Sequence, residues 1–98
     1  MKLTIIPSDS TVYVDNFAIL NIDLSFVPPN IHALQWKVDL GWIEFVENSD
    51  FIKPQNEIIN ELPVWANSAY NAWLNAKTEM EAAAAARTQP TTTGTQIL

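Results

Sequence analysis

Up to Leu62 the hydrophobic positions of this chain recur mostly at every second residue, and beyond Pro63 they recur at every third or fourth. A period of two sends alternate side chains to opposite faces of a strand, whereas a period near 3.6 lines one face of a helix. The change of period predicts an α+β fold in three parts. Residues 1–62 form a small antiparallel β-meander of about four to six short strands. Residues 63–87 form one long amphipathic helix that packs on the sheet and projects beyond it, and residues 88–98 form an extended or flexible tail.

Turn formers punctuate the strand pattern. Residues 2–6 are a short apolar run closed by Pro7-Ser8-Asp9-Ser10, and the β-branched and aromatic residues 11–15 form the returning strand of a first hairpin. Asp15-Asn16 supplies a tight turn. From Phe17 the alternation is the clearest in the chain, with Leu20, Ile22, Leu24 and Phe26 on one face and Asn21, Asp23 and Ser25 on the other. This stretch is expected to be a half-buried strand. Val27-Pro28-Pro29-Asn30 stops it, because proline has no backbone donor.

Residues 31–45 read as a hairpin around which the rest is organised. Closing it brings Leu34, Trp36, Ile43 and Phe45 onto one surface, with Asp39-Leu40-Gly41 as the reversal and Gly41 as the residue free to take positive φ. Glu47-Asn48-Ser49-Asp50 is an acidic turn, Phe51-Ile52-Lys53 a further short strand, and Pro54-Gln55-Asn56 a loop. Residues 57–62 read equally as extended chain or as a helical turn.

Proline is favoured at the first helical position and biases the residue before it away from helix, so the helix is expected to begin at Pro63. Trp65, Ala69, Trp73, Ala76 and Met80 follow at helical spacing, with Tyr70 and Leu74 widening the stripe. Residues 82–86 are alanines, which carry the helix to about Arg87. At ~1.5 Å per residue the helix is about 37 Å long, more than a small sheet covers. The predicted core is therefore Leu20, Ile22, Leu24, Leu34, Trp36, Ile43, Phe45, Trp65, Ala69 and Trp73.

Composition narrows the functional classes. At 98 residues the chain is one domain plus its ends, and a domain of this size hides only ~60–65% of the surface its unfolded chain exposes. Its 48% hydrophobic content argues against wholesale disorder. Net charge is −6, and the five bases Lys2, Lys37, Lys53, Lys77 and Arg87 are scattered, which argues against a nucleic-acid surface. The absence of cysteine excludes disulfides and thiolate metal sites. No apolar run approaches the ~20 residues of a membrane span, and the opening apolar run is too short for a signal peptide, so the expected location is the cytosol of the producer.

The residues that could carry chemistry have plain structural roles. His32, the one histidine, is expected to be structural at a strand start rather than a base or a metal ligand. Glu57 and Glu61 would act as paired acids only if buried, and their loop setting leaves them solvated. Asp9, Asp15, Asp39 and Asp50 sit in predicted turns and lack the spacing of a calcium loop. With no Gly-rich phosphate loop, serine nucleophile motif or metal cluster, the expectation is a protein that is not an enzyme and needs no cofactor.

The tryptophans and the C-terminal third point toward binding. Trp36, Trp65 and Trp73 are assigned to the core. Trp42, out of phase with Ile43 and Phe45, falls on the other sheet face, where it is either packed or offered to a sugar or a protein partner. Met80, Ala83 and Arg87 continue the helical stripe past the domain, as a solvated helix end or as a seam for self-association or a trimeric partner. Thr91, Thr92, Thr93, Ile97 and Leu98 suit an extended strand laid along another protein's edge.

Several segments are also familiar together and in this order: the opening residues 1–9, residues 32–36 (His-Ala-Leu-Gln-Trp), residues 41–45 (Gly-Trp-Ile-Glu-Phe), Leu62-Pro63 with Trp65-Ala66, and Ala72-Trp73. They resemble a group of small tailed-bacteriophage proteins regarded as tail-fibre assembly chaperones or fibre-associated tail proteins. The resemblance spans residues 1–73 and implies a non-catalytic protein that binds and shields a trimeric tail-fibre protein. It places the chain in the host cytoplasm during assembly, or on the virion tail fibre if it is retained there. The alternative is a permanent virion component, or a glycan-binding fibre-tip module that uses Trp42.

Overall fold

In the computed structural model, which describes residues 1–94 with side chains through Ala86, a six-stranded antiparallel sheet is followed by one long helix. The strands are β1 (Lys2–Ile6), β2 (Thr11–Val14), β3 (Phe17–Ile19), β4 (Ile31–Lys37), β5 (Leu40–Phe45) and β6 (Glu57–Ile59), and the helix is α1 (Val64–Gly94). Their order across the sheet is β3-β2-β1-β4-β5-β6. Two three-stranded meanders thus meet at the β1–β4 pair, where Leu3 lies opposite Trp36 and Ile5 opposite Leu34.

Local chemistry explains each reversal. A turn at Pro7–Asp9 joins β1 to β2, closed by the Ser10 N–H donating to the Pro7 carbonyl at 3.1 Å. Asp15 and Asn16 both take positive φ (48° and 70°), the conformation of a two-residue hairpin whose twist matches its strands, and Val14 pairs with Phe17 across it. Aspartate and asparagine tolerate that region better than other side chains.

The β4–β5 hairpin closes differently from the sequence expectation. Its two-residue turn is Val38-Asp39, between the paired Lys37 and Leu40, and Val38 takes φ 62°. Gly41 has no positive φ and lies within β5 opposite Trp36. Its lack of a side chain matters for another reason: a Cβ there would sit 2.2 Å from the Gln35 carbonyl oxygen and 2.9 Å from the Trp36 ring. The glycine is a close-approach position, with the indole of Trp36 lying against it.

The stretch expected to be the clearest strand leaves the sheet. After Ile19 only Thr11 of β2 remains beyond the last pair, because Ile19 is already opposite Val12. Asn21 turns with φ 61°, the Ile22 N–H donates to the Ser10 carbonyl at 2.9 Å, and the Val27 N–H donates to the Leu24 carbonyl at 3.0 Å. The connection then crosses from β3 to the start of β4 and buries Ile22, Leu24 and Val27 against the core. Leu20, predicted for the core, is 63% exposed, because it lies just beyond the last paired residue. Phe26 is also exposed. Residues 51–53 likewise form no strand: Asn48 gathers them into a turn, its Oδ1 accepting from the N–H groups of Asp50 and Ile52 at 2.9 and 3.1 Å.

Within this connection, the Asp23 carboxylate accepts from the Ser25 N–H at 3.0 Å, and that bond holds its pKa below the usual aspartate range. A carboxyl with a lowered folded pKa stabilises the fold above its unfolded pKa, and that contribution is lost as pH falls through the folded value. Carbon-detected NMR titration should therefore give Asp23 a midpoint below that of a free aspartate, with the Ser25 amide shifting in step. An unshifted midpoint would mean that the turn does not persist in solution.

The core lies on one face of the sheet. Leu3, Ile5, Val12 and Leu34 are fully buried, joined by Val14, Ile19, Trp36 and Ile43. An irregularity between Ile31 and Ala33 leaves His32 as an extra residue, so Ile31 shares the face of its partner Phe45 and is buried. The helix covers β1–β3 through Ala66, Ala69 and Trp73, with Trp65, Tyr70, Ala72 and Ala76 partly buried beside them. Leu62 and the half-buried Phe45 pack against the same cluster. Trp73 fixes the docking, its Nε1 donating to the Phe17 carbonyl at 3.0 Å while its ring stands edge-on to Phe17 at 5.8 Å. Residues 78–86 are all exposed, so the helix runs on past the sheet. Once nucleated, a helix gains one hydrogen bond for each residue it adds, which favours continuation through the alanines.

Candidate protein-binding surface

A sheet covered on one face by a single helix keeps its other face open. The register places Tyr13, Thr4, Gln35, Trp42 and Ile58 in one row across β2, β1, β4, β5 and β6. The row spans roughly 19 Å at the usual strand spacing. Its middle is polar, with the Thr4 hydroxyl donating to Gln35 Oε1 at 2.8 Å. Its β5–β6 end is apolar: Trp42 is 40% exposed and its cross-strand neighbour Ile58 is 68% exposed.

Val38 and Leu40 extend this apolar end toward the hairpin tip, and with Lys37, Asp39, Gly41, Trp42 and Ile58 they line a shallow open groove. The Trp42 indole is held in place, its Nε1 donating to Glu44 Oε2 at 2.8 Å on the same face. This leaves the ring face, not the N–H, available to a partner. Contiguous apolar exposure of this kind marks an interaction site more often than scattered apolar residues do. Elsewhere, the β5–β6 connection also exposes Phe51 and Ile52.

The other residues singled out from the sequence lie elsewhere. Met80 and Ala83 are exposed on α1 and, with Phe17, Lys77, Glu81 and Ala84, line a notch between the helix and β3. Lys77 bridges to Glu81 at 2.8 Å and stands 5.9 Å over the Phe17 ring. The side chains of Arg87, Thr91, Thr92 and Thr93 lie outside the described residues, as do Ile97 and Leu98 altogether. The structure therefore does not bring Trp42 together with Met80 and Ala83: the first is on the open face, while the others are on the helix beside β3.

Sequence reasoning missed Ile58, Leu40 and Val38. A signal for Ile58 was present, since two adjacent isoleucines in a strand must point to opposite faces. Ile59 takes the core side, so Ile58 is left on the other. Among the described residues, no three His, Asp or Glu side chains gather into a group able to hold a metal ion, and no helix is long and apolar enough to cross a membrane. Comparison of the chain with protein-family models, with curated proteins and with solved structures returns no match.

Proposed function

We propose that the protein is a non-catalytic binding module that covers apolar surface of an assembling tail-fibre protein. The observation that carries the binding part of this reading is the continuous exposed strip of Val38, Leu40, Trp42 and Ile58 on the open sheet face. The tail-fibre part rests on the sequence resemblance of residues 1–73. The two fit physically, because β-rich chains expose unpaired edges and apolar faces before they assemble, and these are aggregation hazards until covered.

The surface suits a protein better than a glycan. Sugar recognition pairs a stacking aromatic with hydrogen-bonding side chains. Here the Trp42 N–H is already taken by Glu44, and the neighbours are Leu40 and Ile58. The test is co-expression with a candidate tail-fibre protein from the same genome, with and without this chain. Soluble fibre trimer is expected only when both are present, and its yield should fall with Trp42→Ala. Equal yields of soluble trimer in the presence and absence of the protein would overturn the proposal.

A further inference from the structure

The two edges of the sheet are treated differently. At β3 the edge is guarded: α1 lies over it, the Trp73 indole bonds the Phe17 carbonyl, and the Lys77 ammonium sits above the Phe17 ring. At β6 no strand among the described residues pairs on the side away from β5, and the strand has only three residues, Glu57, Ile58 and Ile59. Short or charged edge strands protect a sheet from pairing with other chains. This one is short and carries one exposed charge, Glu57, but on the open face it presents Ile58 next to Trp42.

We infer that β6 is the acceptor edge for an added strand from the partner, and that this strand alternates apolar residues with Lys or Arg. The alternation follows from β6 itself. Ile58 stands on the open face, beside Trp42, so a residue of the incoming strand opposite it must be apolar to continue the strip. Glu57 points the other way and is exposed, so a residue opposite it gains from a positive charge. The immediate surroundings lean the same way: Asp39 lines the groove, Glu44 stands beside Trp42 and Glu57 lies on β6, against Lys37 as the one base of the groove. With the chain at a net charge of −6, this disfavours acidic partners and favours basic ones. The backbone of the incoming strand supplies hydrogen bonds of the strand-addition kind, and its alternate side chains supply specificity.

This inference rests on the protein-binding reading above but not on the partner being a fibre, so the two fail separately. The experiment titrates the full-length protein with three fluorescent eight-residue peptides at two salt concentrations. The first alternates Val and Lys, the second has the same composition in scrambled order, and the third alternates Val and Glu. The alternating Val/Lys peptide is expected to bind about tenfold tighter than the scrambled one, and more tightly still than the Val/Glu peptide. Methylating alternate backbone nitrogens of the Val/Lys peptide should abolish binding, because it removes the donors needed for the ladder. Ile58→Asn, which leaves net charge unchanged and lies at an exposed position, should weaken binding about tenfold while its circular dichroism and melting temperature match those of the parent.

Equal binding of the alternating and scrambled peptides would reduce the effect to bulk charge and overturn the inference. So would binding that survives backbone methylation. If fibre co-expression succeeds while Ile58→Asn leaves fibre binding unchanged, the fibre reading stands and the β6 edge is not its contact.

Discussion

Trp73→Ala should cost about 3–5 kcal/mol of stability, the range for truncating a large buried aromatic. The effect is large because so much of the helix docking runs through this side chain. The other fully buried positions on α1 are Ala66 and Ala69, which bring the helix close but bury little apolar area of their own. Trp73 fills the space between helix and sheet, stands edge-on to Phe17, lies nearly parallel to Tyr70 at 6.3 Å, and bonds the Phe17 carbonyl. Removing it leaves a cavity and a half-buried backbone oxygen short of one donor.

A single domain of this size has about 5–15 kcal/mol of total stability, so the variant should lose a large share of it. Trp73→Phe separates the two contributions, because it keeps most of the packing but loses the indole donor. It should cost about 1–2 kcal/mol. Urea unfolding followed by far-ultraviolet circular dichroism measures both. A Trp73→Ala protein within 1 kcal/mol of the parent would show that α1 is held by something other than this anchor, with ~1 kcal/mol being the resolution of such extrapolations.

The sequence made the two-layer architecture legible because periodicity is a local property. The change at Pro63 separates sheet from helix, and Asp15-Asn16 announces its hairpin through residues that tolerate positive φ. What local pattern could not supply was where pairing partners run out. Leu20, Ile22, Leu24 and Phe26 alternate as well as any strand does, yet with Ile19 opposite Val12 only Thr11 of β2 lies beyond, too little to carry a strand through to Phe26. The alternation survives only in part, as Ile22 and Leu24 cap the core from a connection while Leu20 and Phe26 face out.

The binding surface was half legible for a related reason. The phase of Trp42 against Ile43 and Phe45 fixes it on the opposite face from the core. Whether that face is open depends on how many helices the chain has to cover it, and α1 covers the other side. Ile58 joins the surface only because β6 pairs Trp42 with it, a register that depends on the length of the preceding connection and not on any local motif.

Gly41→Ala is expected to damage both fold and surface, at a cost of about 3 kcal/mol, the upper end of the usual range for overpacking. In a domain of this length that corresponds to a fall in melting temperature of roughly 15 °C. The added methyl would meet the Gln35 carbonyl oxygen at 2.2 Å and the Trp36 Cα at 3.0 Å, and neither is a flexible side-chain end that can swing aside. Relief requires β5 to move away from β4, which lengthens the hydrogen bonds on either side of the Trp36–Gly41 pair and lifts Trp36 from the core. Because Trp42 is the next residue, the same movement tilts the indole out of its row with Gln35 and Ile58.

Two measurements should therefore change together: thermal stability, and the affinity for whatever occupies the Trp42–Ile58 strip. At a temperature where Gly41→Ala is still folded, its peptide or fibre binding should remain impaired. A variant that loses stability but binds at parental strength would show that the strip does not depend on the β4–β5 register. A variant that loses neither would mean that the two strands do not approach as closely as the Gly41–Trp36 contact requires.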